Sequence, residues 1–160
     1  MNCMGKTAKL ILSIVVSLGV GFIGSFFTSP AIPTWYAGLI KPSFSPPNYL
    51  FAPVWTILYI LMGISFYLVW QKGLKNEKVR VALTVFAAQF LLNAIWSPIF
   101  FGAKNLFWAL IVIIFMWIYI VKTILAFRKV SKTASYLLYP YLAWVSFATM
   151  LNFSVWFLNK

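Results

Sequence analysis

Five uninterrupted apolar runs, each close to the roughly 20 residues that a helix needs to cross a bilayer, dominate this chain. They cover residues 8–28, 52–70, 79–101, 106–127 and 135–158. No charged side chain lies in the middle of any run, and Lys122, near the end of the fourth, is long enough to reach the interface. The pattern predicts one all-α membrane domain over residues 1–160, a bundle of five transmembrane helices.

The charged residues are distributed unequally between the two ends of these runs. Ten of the 13 Lys and Arg residues belong to the end that holds the N-terminus: Lys6, Lys9, Lys72, Lys75, Lys78, Arg80, Lys122, Arg128, Lys129 and Lys132. The other end holds Lys41, Lys104 and Lys160. This bias predicts an N-terminus inside and a C-terminus outside, and it favours a prokaryotic cytoplasmic membrane.

The same composition excludes most familiar chemistry. The chain has one acidic residue, Glu77, no His and one Cys, Cys3. It therefore has no carboxylate pair, no imidazole base, no set of metal ligands and no intramembrane proton relay. We expect no metal and no cofactor, and we attribute the net charge of +12 to topology and lipid headgroups rather than to nucleic acid.

The long connection between the first two runs, residues 29–51, is predicted to be an ordered lid. Six of the eight prolines lie in it or just after it, at Pro30, Pro33, Pro42, Pro46, Pro47 and Pro53. Aromatic and aliphatic residues accompany them: Trp35, Tyr36, Leu39, Phe44, Tyr49, Leu50 and Phe51. Stiff, apolar loops pack on the elements they connect, although an amphipathic segment lying in the interface has a similar composition.

Polar side chains inside the runs are the most informative residues, because an unsatisfied polar group in hydrocarbon is costly. Gln89, Asn93 and Ser97 follow one helix face at a spacing of four, and Asn152 lies in the fifth run. For Gln89 we expect helix–helix hydrogen bonding. For Asn93 and Asn152 the residues alone leave hydrogen bonding and ligand contact equally open.

Smaller signals predict where helices pack and end. Ser13, Ser17, Gly21 and Ser25 form a small-residue face that admits another helix, of the same chain or of a second copy. Pro98 should kink or end the third helix early. Asn105, and Ser131 or Thr133, are candidate N-caps.

Several short motifs occur in a fixed order along nearly the whole chain. They are Trp35-Tyr36-Ala37-Gly38-Leu39, Lys41-Pro42-Ser43, Pro46-Pro47, Pro53-Val54-Trp55, Gln89 with Asn93 and Trp96, Pro98-Ile99-Phe100-Phe101-Gly102, Tyr139-Pro140-Tyr141-Leu142-Ala143-Trp144, and Leu151-Asn152. In this order and spacing the chain resembles the TspO/MBR family, the tryptophan-rich sensory proteins that include the translocator protein, or peripheral benzodiazepine receptor.

The resemblance implies a five-helix bundle, often a homodimer, whose pocket is covered by the first loop. For a eukaryotic source it implies the mitochondrial outer membrane. It implies a membrane receptor or sensor for porphyrins and for benzodiazepine or isoquinoline-carboxamide ligands. By motif, the implied ligand-binding residues are Trp35, Tyr36, Pro46, Trp55, Asn93, Trp96, Trp108, Trp144, Phe147, Ala148 and Leu151.

Two other functions stay open beside this one. The first is transport of porphyrin or of a lipid-like molecule. The second is light-dependent porphyrin breakdown, in which Trp55 and Trp144 match the tryptophans implicated in the family, with porphyrin as ligand rather than cofactor.

The chain departs from the animal pattern at the end of the fifth run. The cholesterol motif there has a Tyr and an Arg, whereas this chain has Phe153 and Phe157, so cholesterol binding is doubtful. Because the chain has no His, haem ligation by imidazole is excluded.

Overall fold

The computed structural model describes residues 5–160, so Cys3 lies outside the described residues. Within them the protein is helical, and five helical stretches are long and apolar enough to cross a membrane. The helices are α1 (Lys6–Ala31), α2 (Phe51–Trp70), α3 (Glu77–Ser97), α4 (Leu106–Arg128), α5 (Lys132–Tyr136) and α6 (Tyr139–Leu158). The prediction of an all-α membrane bundle with five spans is confirmed.

The first helix is longer than the apolar run that predicted it. It continues through Pro30 to Ala31, and the amide of Ile32 still bonds the Thr28 carbonyl at 3.0 Å. A proline this close to a helix C-terminus removes one backbone donor without breaking the helix. The lid therefore comprises residues 32–50 rather than 29–51, with 3₁₀ turns at Tyr36–Gly38 and Asn48–Leu50.

Prolines interrupt the third and fifth spans. The α-helical part of the third span ends at Ser97, as predicted from Pro98, and continues as one π-helical turn, Pro98–Gly102. The fifth span, predicted to be one helix from residue 135, divides into α5 and α6. Because Pro140 lacks an N–H for the carbonyl of Tyr136, α5 ends at Tyr136.

Side-chain caps begin two of the helices where the sequence predicts them. The Asn105 side chain accepts from the Trp108 amide at 3.0 Å and so caps α4. Ser131, rather than Thr133, caps α5 by accepting from the Ala134 amide at 3.3 Å. Each cap satisfies an amide that the first turn of a helix leaves without a backbone partner.

The helices pack as a ring of neighbours around one apolar core. The most extensive contacts join α3 to α4 and α1 to α2, while α4 packs on α6 and α5 packs on α2. A buried hydrogen bond of 2.7 Å from the Ser65 hydroxyl to the Ala134 carbonyl holds α2 to α5. The core itself is built from large side chains, among them Met62, Ile113, Met116, Phe127 and Tyr141.

The small-residue face of α1 is used inside the chain. The Ser17 hydroxyl donates to the Tyr59 carbonyl at 2.7 Å, and the Tyr59 ring lies directly against Gly21. On α2, a Cβ at Gly63 would lie 2.7 Å from the Cα of Ile14. Of the two partners that the sequence allows, the structure gives this face a helix of the same chain.

Candidate functional site

The first half of the lid packs onto the end of α3 and the π-helical turn. The Tyr36 side chain is only 3% exposed. Its ring centroid lies 6.2 Å from that of Phe100 and 5.7 Å from that of Phe101. Trp35 meets Phe100 edge to face at 5.8 Å, and Trp96 stacks on Phe100 at 5.0 Å. Of the two sequence interpretations, this packing corresponds to the lid.

Burial changes the acid–base behaviour of the lid tyrosine. Desolvation raises the pKa of the Tyr36 hydroxyl above its usual value near 10, and a hydrogen bond with Ser45 offsets part of the rise. The Lys41 ammonium lies 4.8 Å from the centroid of the Tyr36 ring, a cation–π distance. The hydroxyl therefore stays neutral at physiological pH, and this lid contact weakens only as the pH rises through the raised pKa.

The second half of the lid lies against α6. The Phe44 ring centroid is 6.2 Å from that of Phe147, and the Phe51 centroid, at the start of α2, is 6.2 Å from that of Trp144. Edge-to-face aromatic pairs at these distances are individually weak and separable. Trp144 and Phe147 form an aromatic wall on α6, and this wall is therefore covered by contacts that a ligand can replace.

A polar clasp fixes the lid to the end of α6. The Asn159 side chain accepts from the Ile40 amide at 3.0 Å and donates to the Ile40 carbonyl at 2.9 Å. Its amide nitrogen also donates to the Val155 carbonyl at 2.7 Å. One side chain thus satisfies both backbone groups of a lid residue, as a neighbouring β-strand would.

A chain of buried hydrogen bonds joins three helices below the lid. The Tyr59 hydroxyl donates to Asn93 Oδ1 at 2.6 Å, and Asn93 Nδ2 donates to the Tyr141 hydroxyl at 2.9 Å. The Tyr141 hydroxyl donates in turn to Gln89 Oε1 at 3.0 Å. Both polar atoms of Asn93 are therefore engaged between α2, α3 and α6, which is the helix-bonding role.

Asn152 makes a second connection of the same kind. Its Oδ1 accepts from the Trp96 indole nitrogen at 3.2 Å, and its Nδ2 donates to the Leu106 carbonyl at 3.1 Å. Between the two roles left open by the sequence, the geometry again gives helix–helix bonding. It also orients the Trp96 ring toward the lid cluster around Phe100.

Two buried donors have no hydrogen-bond partner among the described residues. They are Gln89 Nε2 on α3 and the indole nitrogen of Trp144 on α6. Gln89, expected to form hydrogen bonds between helices, does so through Oε1, whereas its Nε2 has no partner among the described residues. An unpaired buried donor costs about 1–3 kcal/mol, so both positions favour a ligand atom that accepts a hydrogen bond.

An apolar cavity lies beside the Trp144 ring. Its volume is about 390 Å³, within the range of small-molecule sites. The walls come from α2 and α6, namely Val54, Ile57, Leu58, Pro140, Ala143, Trp144 and Phe147. Phe147 also contacts Phe44 of the lid, and Trp144 contacts Phe51 where the lid joins α2, so the cavity and this end of the lid share one aromatic wall.

The structure brings most of the implied ligand-binding residues to the lid or to the core below it. Trp35, Tyr36 and Trp96 form the Phe100 cluster; Trp55, Trp96, Trp144 and Ala148 pack against the main core. The Trp55 ring lies 5.7 Å from Tyr59 and 6.3 Å from Tyr141. Leu151 is buried in α6, and Pro46 is half-buried in the lid.

One implied residue lies apart from the others. Trp108 is 58% exposed near the start of α4, and its aromatic neighbour is Phe107 at 5.7 Å. In this conformation it contributes to neither the cavity wall nor the lid contacts.

Sequence reasoning missed several residues of this arrangement. Tyr59 and Tyr141 supply the buried hydroxyls, and Asn159 holds the lid. Tyr141 lies within the motif of residues 139–144, which was the signal available in the sequence. Asn159 is the last residue but one and has no motif around it.

The model of the TspO/MBR family matches residues 13–157. The chain belongs to the TspO/MBR family. This match includes the greater part of the first span, the four spans that follow almost to the end of the last, and the lid, and it confirms the resemblance inferred from the motifs.

Named relatives cover most of the chain. It is 49% identical over 150 residues to the tryptophan-rich protein TspO of Chlorobaculum tepidum, covering 94% of this chain and 95% of the relative. It is 46% identical over 141 residues to the human translocator protein, covering 88% and 83%. It is 40% identical over 125 residues to the tryptophan-rich sensory protein of Cereibacter sphaeroides, covering 78% and 77%. An integral membrane protein with a sensor or receptor role is supported by this family.

Proposed function

We propose that this protein is a membrane receptor for flat, apolar ring ligands of the porphyrin class, bound between the lid and α6. Benzodiazepine and isoquinoline-carboxamide ligands, which also combine aromatic rings with carbonyl oxygens, are accepted by the same surface. The binding surface is the aromatic wall of Trp144 and Phe147, together with the cavity beside it.

The observation that carries the proposal is the unpaired indole N–H of Trp144 in an aromatic wall. The seven residues that line the cavity are apolar, which favours a hydrocarbon ring over a polar metabolite. The buried N–H selects among such rings, because a ligand carbonyl or carboxylate would satisfy it. Gln89 Nε2 offers a second donor deeper in the bundle.

The lid supplies the route of entry. Phe44 and Phe51 cover the wall through edge-to-face aromatic pairs. A ligand ring that replaces these two side chains makes equivalent aromatic contacts with the wall. The Phe100 cluster and the Asn159 clasp hold the first half of the lid in place during this exchange. Binding then needs displacement of residues 44–51 rather than unfolding of the bundle.

Titration of the purified protein with protoporphyrin IX, followed by the shift of the porphyrin's main absorption band, tests the proposal. We expect saturable binding that Trp144→Phe weakens by about tenfold, since that change deletes one hydrogen bond to a charged or carbonyl acceptor. The Trp55→Phe, Trp144→Phe double variant should bind still more weakly.

The matched control is Trp117→Phe. Trp117 is also a span tryptophan, but its indole nitrogen already donates to the Ser146 hydroxyl at 2.8 Å on a lipid-exposed surface. Its variant should bind like the unmodified protein. Equal affinity of the Trp144→Phe and Trp117→Phe variants would refute the assignment of the wall.

A further inference from the structure

A second groove lies at the opposite end of the bundle from the lid, and its position, polarity and charge indicate a different ligand. It is lined by α1, α2 and α3 and has a volume of about 290 Å³. The lining residues are Leu12, Ser13, Val16, Ser17, Gly63, Phe66, Trp70, Phe86, Ala87 and Phe90. In α1 and α2 they belong to the half of the helix next to the lysine-rich end, and in α3 they lie around the middle of the helix.

The groove forms because α1 and α2 approach each other closely, whereas α3 makes fewer contacts with either of them. Gly63 lets α2 lie directly on the backbone of α1 at Ser13 and Ile14. The space left against α3 has an aromatic floor, in which the Phe66 and Phe86 centroids are 5.2 Å apart and Phe86 stacks on Phe90 at 5.4 Å.

Apart from the Trp70 indole, the groove wall offers hydrocarbon contacts only. The Ser13 hydroxyl donates to the Lys9 carbonyl and the Ser17 hydroxyl to the Tyr59 carbonyl, each at 2.7 Å. Both serines are buried, so neither presents a free polar atom to the groove. The outer rim is open, because Leu12 and Val16 are exposed toward the lipid. A groove without a free serine hydroxyl that opens toward the lipid suits an acyl chain.

The mouth of the groove carries positive charge. The Lys9 ammonium lies 5.4 Å from the centroid of the Trp70 ring, which lines the groove. Lys6 precedes Lys9 by one helical turn, and Lys72 follows Trp70 by two residues. A single acidic side chain in the sequence, Glu77, cannot neutralise 13 cations. A basic mouth between transmembrane helices is suited to an anionic headgroup.

The geometry points to a binding site for an anionic phospholipid, with one acyl chain along the Phe66–Phe86–Phe90 floor and the phosphate at Lys9. The site lies in the leaflet on the lysine-rich side and is separate from the cavity beside Trp144. It requires no ligand under the lid, so it stands or falls independently of porphyrin binding.

Native mass spectrometry of the purified protein, with phosphatidylglycerol or phosphatidylcholine added, tests this site. The unmodified protein should retain one phosphatidylglycerol molecule in preference to phosphatidylcholine, and millimolar inorganic phosphate should not displace it. Lys9→Gln should weaken retention by about fivefold, as expected for one lysine at an anionic membrane surface. Ala87→Trp, which fills the groove from its exposed rim, should reduce retention to that of unspecific lipid.

Two variants on α4 are matched controls. Lys122 also lies over an aromatic ring, 4.8 Å from the Tyr119 centroid, but does not line the groove. Leu125 is lipid-exposed on the same side of the membrane. Lys122→Gln and Leu125→Trp should therefore retain phosphatidylglycerol normally.

Two results would overturn the assignment. One is equal retention by Lys9→Gln and Lys122→Gln, which would mean that lipid binds by general charge. The other is conversion of a dimer to a monomer by Ala87→Trp without loss of lipid, which would make the groove an interface between copies. Unchanged circular dichroism of each variant establishes that lost retention is not lost folding.

Discussion

Tyr141 joins three helices through one hydroxyl group. It accepts from Asn93 Nδ2 and donates to Gln89 Oε1, and Asn93 connects it to Tyr59 on α2. Tyr141→Phe keeps the ring but removes both bonds, so that Asn93 Nδ2 and Gln89 Oε1 lose their buried partner. We expect a loss of about 1–3 kcal/mol in the free energy of unfolding, the usual cost of leaving a buried donor or acceptor unpaired.

Thermal or denaturant unfolding of the detergent-solubilised variant measures this loss. Tyr139→Phe is the control, because the Tyr139 side chain is exposed and has the same chemistry. Tyr59→Phe removes only one end of the hydrogen-bond chain and should cost less than Tyr141→Phe. The reverse order would show that the chain is not organised around Tyr141.

The family resemblance and the structure predict different roles for Trp108. The resemblance places it among the ligand-binding residues, whereas the structure leaves its ring exposed and away from the aromatic wall. We therefore expect Trp108→Phe to change porphyrin affinity by less than about twofold, against about tenfold for Trp144→Phe. The same absorption titration measures both, and a Trp108→Phe defect as large as that of Trp144→Phe would place the ligand on α4 instead.

Residue spacing predicted the polar stripe but not its partners. A period of four places Gln89, Asn93 and Ser97 on one face of α3, and all three form hydrogen bonds to other helices. Which hydroxyl meets which amide depends on how neighbouring helices are rotated and how deep they lie. That information is not in the spacing of one helix, so Tyr59 and Tyr141 could not be assigned from it.

At the scale of the elements, the first half of the lid is held both by aromatic packing at Tyr36 and by hydrogen bonds at Ile40. Asn159→Ala removes the two hydrogen bonds to Ile40 and leaves the Phe100 cluster intact. Two neutral hydrogen bonds contribute about 1–3 kcal/mol, so we expect the amide of Ile40 and its neighbours to exchange with deuterium at least about fivefold faster.

Hydrogen–deuterium exchange measured by mass spectrometry on lid peptides tests this clasp. Asn48→Ala is the control, since Asn48 is an exposed asparagine in the second half of the lid. It should leave exchange at Ile40 unchanged. Slow exchange in the Asn159→Ala variant would show that the aromatic packing alone holds the lid.

Prolines made the element boundaries partly predictable. Pro98 and Pro140 each lack a backbone donor, and helices change or end beside both. The sequence did not predict that the chain after Pro98 would continue as a π-helical turn or that α1 would pass through Pro30. Those outcomes depend on the packing of Phe100 against Tyr36 and on the hydrogen bond from Ile32, which are tertiary and local geometries.

For the whole molecule, an odd number of spans places the two termini on opposite sides of the membrane. The lid lies on the side of the C-terminus, because Asn159 bonds Ile40. The ten-to-three distribution of cations assigns the opposite side to the cytoplasm. We therefore predict that the lid and C-terminus face outward and that the 71–76 loop faces inward.

Labelling of single cysteines in intact bacterial cells with a membrane-impermeant maleimide tests this orientation. In a Cys3→Ser background, Ala37→Cys in the exposed part of the lid should be labelled, whereas Lys75→Cys should react only after the membrane is made permeable. The Lys75 variant also serves as the control for membrane integrity. Labelling of Lys75→Cys alone in intact cells would invert the topology, and it would place the phospholipid groove in the outward-facing leaflet.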